Sequence, residues 1–427
     1  MAKFDRTVLD SGVRVVTENH SHTEAVSIGI WVERGTRDEP KGLGGISHLL
    51  EHMVFKGTKT RSAYEIAKSL EEVGGDLNAF TTREYTCYHA MVLKDYWEKA
   101  LDVLSDLVLN MDMGPRNFEL EKSVILQEIT MSDDELDELI YDFFLEEGLK
   151  GHSLAKPILG TVESIQAMTR QKVNSFYKKA YSPASIIVSA AGNIGHKEIS
   201  EKTQKLFRKG KRSFHTKLSR RPPLFKGFRK TKEKPTEQTH MLVGLSSTSF
   251  KNSHRFEAFV LNALLGGGMT STLYQSVRER KGLSYTIYSF LNTFVDFGLL
   301  TVYAASEPNN MKDIFTEVTK QMQGIDKLIN KKSIEMFKTQ VIGSLKLGAD
   351  DVENRMQSLG VNEMVFRKYK PVDEIISELK AVSVSSMHDF MHEYWDLKNV
   401  GAYLMGAKVK EMEDWFLDWD FSKKIRK

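Results

Sequence analysis

The second half of the chain repeats the plan of the first half. A stretch that begins SLEEVGGDLNAFTTREY at Ser69 aligns with one that begins SVRERKGLSYTIYSF at Ser276, an offset of 207 residues. Each stretch passes from the end of a helix through glycine into a strand-rich segment and then into an amphipathic helix. An offset of nearly half the chain predicts a duplicated unit, because 427 residues exceed one ordinary core and fit two domains of about 200 residues.

Each repeat mixes strand and helix signals. AVSIGIWVE at Ala25–Glu33 has strand composition, and the stretch from Asp76, DLNAFTTREYTCYHAMVL, alternates as a hairpin does. Between them, SAYE at Ser62–Glu65 is a capping box that opens a helix running to about Val73, and Pro115 begins a later long helix. The sequence therefore predicts an α+β fold of two structurally similar, duplicated domains, each an antiparallel-rich sheet packed with helices.

A basic segment separates the two repeats. Between Arg208 and Lys234 lie twelve lysines and arginines and a single acid, Glu233. Such a run is one signal of nucleic-acid binding. Because it contains RRPP and lies between two periodic halves, an exposed interdomain linker is the favoured interpretation. We therefore expect a catalytic domain at residues 1–207, a basic linker at 208–235 and a second, metal-free domain at 236–427.

The composition argues against several classes of protein. No apolar run approaches the roughly 18 residues of a membrane span, and no targeting segment is visible. The single cysteine, Cys87, excludes an intrachain disulfide and is typical of a reducing compartment. We therefore expect a cytoplasmic protein that binds neither membrane nor nucleic acid.

The stretch GGISHLLEHMVFKGTK holds two histidines and a glutamate within five residues. On a helix, His48 and His52 lie one turn apart on one face with Glu51 beside them, while Leu49 and Leu50 point to the core. Two imidazoles suit zinc, which needs a third protein ligand and leaves a position for a water that a glutamate deprotonates. The alternative is an amphipathic helix without metal. The corresponding helix of the second repeat, FEAFVLNALLGG, has no histidine, and a purely structural repeat gives no reason for that difference.

A glutamate in a later helix is a candidate for the third metal ligand. The helix after Pro115 carries Glu121 and Glu128 two turns apart on one face, and 75 residues separate His52 from Glu128. With this glutamate the chain resembles the pitrilysin/insulinase-type zinc peptidases (inverzincins, peptidase family M16), whose HxxEH motif is followed by a glutamate at such a distance. The resemblance implies one zinc ion per chain, with the ligands His48, His52 and Glu128, the general base Glu51, and Glu121 behind the ligands. Charge on an exposed helix face is the alternative for both glutamates of this helix.

Two further segments carry the same resemblance. LNAFTT matches the family's edge strand beside the zinc, to which substrate adds as a further strand through Asn78, Ala79, Phe80 and Thr81. VRERKGLSY reproduces the family's Arg-x6-Tyr pair in Arg278 and Tyr285, which implies electrostatic stabilisation of the developing oxyanion. From the residues alone, these are ordinary strand residues, a helix-end arginine and a strand tyrosine.

The length adds an expectation about assembly. Family members of about this size form one half of a clamshell, so that two chains are needed to close a chamber. The resemblance thus implies a homodimer in which Arg278 and Tyr285 of one chain complete the zinc site of the other. We expect a zinc-dependent endopeptidase of the short, processing-peptidase-like branch that hydrolyses short or unfolded peptides inside a closed chamber.

Other functions stay open at this point. Some relatives are non-catalytic scaffold subunits with degenerate motifs, although here the histidines, the glutamates and the Arg/Tyr pair are all intact. The chain is alternatively the active member of a heterodimer whose partner lacks zinc. The acidic run Asp133–Glu147, with eight acids and no base, suggests a preference for basic peptides, and a solvated acidic surface explains it equally well.

Overall fold

Strands and helices alternate along both halves of the structure, a computed structural model that describes residues 3–208 and 220–425. The strands are β1 (Lys3–Val8), β2 (Arg14–Asn19), β3 (Ala25–Val32), β4 (Asp76–Thr81), β5 (Thr86–Leu93), β6 (Ile186–Gly192), β7 (Arg229–Glu233), β8 (Thr239–Ser247), β9 (Thr286–Thr293), β10 (Gly298–Ser306) and β11 (Gly401–Gly406). The helices are α1 (Ile46–Val54), α2 (Ala63–Glu71), α3 (Trp97–Asn110), α4 (Pro115–Ser132), α5 (Leu136–Gly148), α6 (Val162–Gln166), α7 (Arg170–Ala180), α8 (His196–Leu206), α9 (Arg255–Leu265), α10 (Met311–Gly324), α11 (Lys331–Gly348), α12 (Val352–Phe366), α13 (Val372–Ala381), α14 (Val384–Tyr394) and α15 (Glu413–Phe416).

The first sheet has six strands in the order β1-β2-β6-β3-β5-β4. β2 and β6 run parallel, and the other neighbours are antiparallel. β3 is buried on both faces, which explains its nearly continuous apolar sequence: Ile28 and Ile30 belong to one core cluster and Trp31 to another. β4 lies at an edge of this sheet, so one side of its backbone has no neighbouring strand among residues 3–208 and 220–425.

The second sheet repeats the design with five strands in the order β7-β11-β8-β10-β9. The hairpin β9–β10 corresponds to β4–β5, and α9 corresponds to α1. The helices α4 and α11, which follow the matching helices α3 and α10, are each 18 residues long. The predicted duplication and the predicted α+β fold of antiparallel-rich sheets packed with helices are therefore confirmed.

The described residues divide into two compact units that interleave along the chain. The first contains residues 3–131, 156–208 and 347–370, and the second contains residues 132–155, 220–346 and 371–425. Each unit therefore includes one helix from the opposite half of the sequence, α12 in the first and α5 in the second. The division at residues 1–207, 208–235 and 236–427 stays a prediction. Within the basic segment, residues 229–233 form β7, and residues 209–219 lie outside the described part.

Helix α12 covers the face of the first sheet that carries Trp31. The side chains of Met356 and Leu359 pack with Trp31 in one buried cluster. Ion pairs hold the same helix to the strands, because Nε of Arg6 lies 2.8 Å from Oε2 of Glu363. In the second unit, α5 packs its apolar side chains against β8 and β11. Each sheet is thus covered by helices on both faces.

The local signals of the first repeat are confirmed by the structure. Ser62 caps α2 by accepting a hydrogen bond from the backbone N–H of Glu65, whose carboxylate accepts one from the N–H of Ser62 at 2.7 Å. Cys87 is buried, as expected of a small strand residue. Among the described residues, no helix combines the length and the apolar composition needed to cross a membrane.

Candidate metal centre

The helix that carries HLLEH, α1, begins at a tight turn that requires glycine. Gly45 has φ 86°, in the left-handed region, and a side chain there would collide with the carbonyl of Leu159. The carboxylate of Glu39, which is nearly buried, accepts hydrogen bonds from the backbone N–H groups of Gly45 and Ser47, each at 2.9 Å. It satisfies donors that a helix start leaves unpaired.

Helix α1 presents its two histidines on the face opposite the core. Leu49 and Leu50 are fully buried, whereas His48 and His52 are partly exposed, as the sequence predicted. Glu128 of α4 reaches the same place. One ligand atom from each of His48, His52 and Glu128 lies within 4.8 Å of the others, the one such cluster found among residues 3–208 and 220–425.

The distances suit one small cation. Nε2 of His52 lies 3.5 Å from Oε1 of Glu128, and the two imidazole centroids are 4.6 Å apart. Two ligands of a tetrahedral zinc ion at about 2.1 Å are separated by roughly 3.4 Å. Three buried atoms here have no hydrogen-bond partner within the described part of the chain, namely Nδ1 of His48, Oε2 of Glu51 and Oε2 of Glu128. Because buried polar atoms in native proteins are nearly always satisfied, this donor set fits a metal ion.

The pKa of His48 supports the same assignment. Burial, with a smaller effect of the neighbouring His52, lowers the pKa of the His48 imidazole to about 4. The ring is therefore neutral at neutral pH, which is the form that binds a metal.

The side chain of Glu51, a residue of α1, is directed towards the edge strand β4. The hydroxyl and the backbone N–H of Thr81 both act on its carboxylate and lower its pKa. Burial raises the pKa of Glu51 above its usual value, while Thr81 and the charge of His52 oppose that shift. A carboxyl group whose pKa is raised by burial accepts a proton more readily near neutral pH than an exposed one does, as a general base requires.

Glu121 lies behind His52. Its side chain is fully buried, and its Oε2 lies 3.2 Å from Nδ1 of His52. Its other oxygen, Oε1, lies 3.0 Å from Nζ of Lys56, at the end of the motif helix. A carboxylate on the far nitrogen of a metal-binding imidazole fixes the ring's tautomer and orientation.

The four residues of the NAF segment lie on β4. Ala79 and Leu77 pack against the core on the side of α1, whereas the ring of Phe80 faces Trp31 on the opposite side, with centroids 6.0 Å apart. The N–H of Ala79 donates to Oδ1 of Asn78 at 2.8 Å, so it points to the free edge of the sheet and not to β5. An added strand could pair with this edge if one of its carbonyl groups replaced Oδ1 of Asn78 as the acceptor for Ala79.

Arg278 and Tyr285 contact each other in the second unit. Nη1 of Arg278 donates to the carbonyl of Tyr285 at 2.9 Å, and the guanidinium lies 4.2 Å from the centre of the Tyr285 ring. Arg278 belongs to a π-helical turn, Tyr274–Glu279, a conformation often found at functional sites. The Tyr285 side chain is 80 % exposed, so this phenol is accessible.

Two residues of this centre were not found by sequence reasoning. Lys56 follows His52 by four residues, so its position on the motif face was a usable signal. Glu39 had no such signal, because it lies in a loop and acts through contacts to a helix that starts several residues later.

Comparison with protein families gives two matches along the chain. Residues 14–162 match the family described as insulinase (peptidase family M16), and residues 167–341 match the peptidase M16 inactive domain. The first match contains the histidines, Glu51 and Glu128, whereas the second contains Arg278 and Tyr285.

Similar proteins of known sequence cover nearly the whole chain. An uncharacterized zinc protease of Mycobacterium leprae is 36% identical over 94% of this chain and 91% of its own length. The uncharacterized zinc protease YmxG of Bacillus subtilis is 37% identical over 90% of this chain and 93% of its own length.

Solved structures share the fold at lower identity. A protease from Helicobacter pylori superposes with a TM-score of 0.88 at 20% identity, covering 95% of this chain and 100% of that one. A peptidase M16 inactive domain from Pseudomonas fluorescens gives a TM-score of 0.88 at 16% identity, covering 95% of this chain and 98% of that one.

Proposed function

The chain belongs to peptidase family M16, the insulinase family, and is a zinc metallopeptidase; from that premise we propose that it is an endopeptidase whose zinc is bound by His48, His52 and Glu128. The observation that carries the proposal is the convergence of these three side chains within 4.8 Å, with Glu51 on the same helix. When bound there, zinc supplies a Lewis acid that polarises the scissile carbonyl and acidifies the attacking water.

The protein's own groups do the remaining work. Glu51 accepts the proton of the attacking water and returns it to the leaving amine, and the polar groups of Thr81 act on its carboxylate. Glu121 keeps the proton of His52 on Nδ1 and so leaves Nε2 free as a ligand. The role of each ring nitrogen of His52 follows from its neighbour: Nε2 faces Glu128 of the metal cluster, whereas Nδ1 faces the buried Glu121.

The free edge of β4 binds the substrate backbone. An extended peptide that pairs with Asn78, Ala79, Phe80 and Thr81 gains affinity from main-chain hydrogen bonds, which any sequence can form. The outward direction of the Ala79 N–H supports this role, with a substrate carbonyl replacing Oδ1 of Asn78 as its acceptor. Thr81 of the same strand acts on the carboxylate of Glu51. A short or unfolded peptide satisfies these requirements, whereas a folded protein does not present an extended backbone.

Arg278 and Tyr285 complete the site in trans. Their guanidinium and phenol suit a developing oxyanion, and the exposure of Tyr285 leaves it accessible to another chain. We therefore propose a homodimer that encloses a chamber. The test is a mixed dimer of one Glu51→Gln chain and one Arg278→Ala chain. If Arg278 of one chain completes the zinc site of the other, one of the two sites in this dimer has both a native Glu51 and a native Arg278. About a quarter to a half of wild-type turnover supports the proposal, and no turnover contradicts it.

The alternatives make different predictions about the same chain. A scaffold subunit needs no ordered metal ligands, so the intact and convergent cluster disfavours that role. A heterodimer predicts that the purified chain alone has no peptidase activity. Two of the eight acids in the acidic run have a lysine partner, since Lys234 pairs with Asp133 and Lys230 with Glu147, so a preference for basic peptides would depend on the others. The single, buried Cys87 suits a cytoplasmic setting.

The deciding experiment compares zinc content and peptide hydrolysis in the wild type and in Glu51→Gln. We expect the variant to bind one zinc ion per chain and to lose about 10²- to 10⁴-fold in kcat, because it lacks the base and keeps every ligand. The variant Glu119→Gln is a matched control, since Glu119 is exposed on α4 and pairs with Lys122. Full activity of Glu51→Gln would refute the mechanism.

A further inference from the structure

Lys56, in the turn that follows the motif helix, contacts α4 at two places. Its carbonyl accepts a hydrogen bond from Nδ2 of Asn117 at 3.0 Å, and its Nζ lies 3.0 Å from Oε1 of Glu121. Asn117 and Glu121 are four residues apart on α4 and therefore lie on one face of that helix. The N–H of Lys56 donates to the carbonyl of Met53 at 3.1 Å, so the backbone of this residue is fixed as well.

The carboxylate that Lys56 contacts is the more deeply buried of the two that α4 directs at the zinc centre. The side chain of Glu121 is fully buried, whereas that of Glu128 is 35 % exposed and can be solvated. Oε1 of Glu121 has no hydrogen-bond partner within residues 3–208 and 220–425. Because an unpaired charge is strongly disfavoured in the protein interior, the ammonium of Lys56 is the group that compensates this oxygen.

The two oxygens of Glu121 thus have different neighbours. Oε2 lies 3.2 Å from Nδ1 of His52, and Oε1 lies beside Lys56. The side chain of Lys56 is 37 % exposed, so solvent reaches this side of the pair. Without the ammonium, the carboxylate would be more stable if it turned towards solvent. The His52 ring would then lose the acceptor that fixes its orientation.

We propose that Lys56 is a positioning residue of the zinc centre. Its ammonium stabilises the ionised carboxylate of Glu121 and keeps it aligned with Nδ1 of His52, so that Nε2 of the same ring stays directed at the metal. Lys56 acts through Glu121 and not through contact with zinc. The inference rests on the proposed zinc site and adds to it a cation behind the carboxylate that supports the ligand.

A direct effect of the lysine charge on the metal works in the opposite direction. The ammonium repels a zinc ion, so its removal would by itself tighten zinc binding. Solvent and salt screen this repulsion because the side chain of Lys56 is partly exposed, and the repulsion does not depend on Glu121. We therefore expect the loss of alignment to dominate. Measurements with and without the Glu121 carboxylate separate the two effects.

The test is a double-mutant cycle on zinc affinity, measured by competition with a chromophoric chelator. Lys56→Met nearly keeps the length of the side chain and removes its charge. We expect zinc affinity to fall by about 3- to 10-fold, less than for a fully buried partner of a ligand, because this ion pair is partly exposed. Lys56→Arg should retain most of the affinity, since it restores a cation at the same place. In a Glu121→Gln chain, Lys56→Met should weaken binding no further.

Lys59→Met is the matched control, because it removes one positive charge from an exposed position three residues further along. Its zinc affinity should equal that of the wild type. Equal or tighter binding by Lys56→Met overturns the proposal, and so does a weakening of the same size in the wild-type and Glu121→Gln backgrounds. Near-ultraviolet circular dichroism of the chelated proteins shows whether each variant is folded, and Lys56→Gln takes the place of Lys56→Met if the latter is not.

The affinity measurement is independent of peptide hydrolysis. A wild type that binds zinc and cleaves no peptide contradicts the proposed function, while the cycle still decides the role of Lys56. If His48→Ala binds zinc as tightly as the wild type, the proposed ligand set is wrong, and the inference about Lys56 is wrong as well.

Discussion

Nδ1 of His52 lies 3.2 Å from the fully buried Oε2 of Glu121, on the side of the ring away from the metal cluster. The other nitrogen of the ring, Nε2, lies 3.5 Å from Oε1 of Glu128. The imidazole is therefore held between two carboxylates of α4, one of which has no access to solvent. With the proton on Nδ1, the lone pair of Nε2 is directed towards the cluster.

Replacing Glu121 by glutamine should weaken zinc binding. The amide still accepts a hydrogen bond from His52 but carries no negative charge, so the imidazole becomes a poorer ligand and zinc affinity falls by about 10- to 100-fold. Competition with a chromophoric chelator measures this directly, without reference to activity. Glu119→Gln on the exposed face of the same helix should keep wild-type affinity. Equal affinities for the three proteins would show that Glu121 does not act on the ligand.

Removing the metal should lower stability through the same three side chains. At a free zinc concentration of 1,000 times Kd, binding to the folded state stabilises it by about 4 kcal/mol. We expect urea unfolding to show a loss of this size on chelation, and zinc but not magnesium to restore it, because imidazole ligands disfavour magnesium. His48→Ala should unfold at the same urea concentration with and without chelator. A chelator effect of equal size in that variant would place the metal elsewhere.

The features of the site that could be predicted from sequence are those encoded locally. HLLEH fixes two histidines and one glutamate on a helix by spacing alone, and the capping box at Ser62 marks the start of α2. The alternating stretch that begins DLNAF predicts a hairpin, and the structure forms it from the antiparallel strands β4 and β5. The contribution of Glu128 depended on the family pattern, because no local rule connects two residues separated by 75 positions.

What the sequence did not show depends on tertiary contacts. The cap of α1 by Glu39 crosses a loop, and the Lys56–Glu121 pair joins the turn after α1 to α4. The assignment of α5 to the second unit and of α12 to the first also depends on contacts between distant residues. The apolar faces of these helices indicate that they are buried but not against which sheet. Hydrophobic periodicity identifies a helix and its buried face, whereas it carries no information about the partner surface.

The packing of α12 on the first sheet should tolerate no added side chain at Gly360. A Cβ at this position would collide with the indole of Trp31, which is fully buried and donates to Oγ of Ser189 at 2.7 Å. We expect Gly360→Ala to destabilise the protein by about 1–3 kcal/mol through overpacking. Urea denaturation measures the change.

A second helical glycine is the control for that substitution. Gly343 lies within α11, where a Cβ would meet nothing within 4 Å. Gly343→Ala should therefore be neutral or stabilising by up to about 1 kcal/mol, because alanine favours a helix over glycine. Similar destabilisation by both substitutions would mean that backbone effects and not contact with Trp31 dominate.

The cap of the motif helix should make stability depend on pH. Burial, opposed by the hydrogen bonds from Ser47 and Gly45, raises the pKa of Glu39 from 4.5 to about 7. The folded state therefore holds a proton between these pH values that the unfolded state has released. For a raised carboxyl pKa, the stabilising contribution is complete below about pH 4.5 and is lost as pH rises through 7.

Glu39→Gln removes this titration and keeps one of the two acceptor oxygens, since the N–H groups of Gly45 and Ser47 bond different oxygens of the carboxylate. The lost bond lowers the stability of the variant by an amount that does not depend on pH. Compared with the variant, the wild type should lose up to about 3 kcal/mol of unfolding free energy between pH 4.5 and 7.5, with no further change above that range. Both proteins should be measured with chelator present, so that zinc release by protonated histidines does not contribute. The difference between the two curves isolates Glu39, because all other groups titrate alike in both proteins. Parallel curves would show that the pKa of this carboxyl is the same in the folded and unfolded states. If the wild type instead gained stability relative to the variant as pH rises, the favourable position of the charge at the start of α1 would outweigh the cost of its burial.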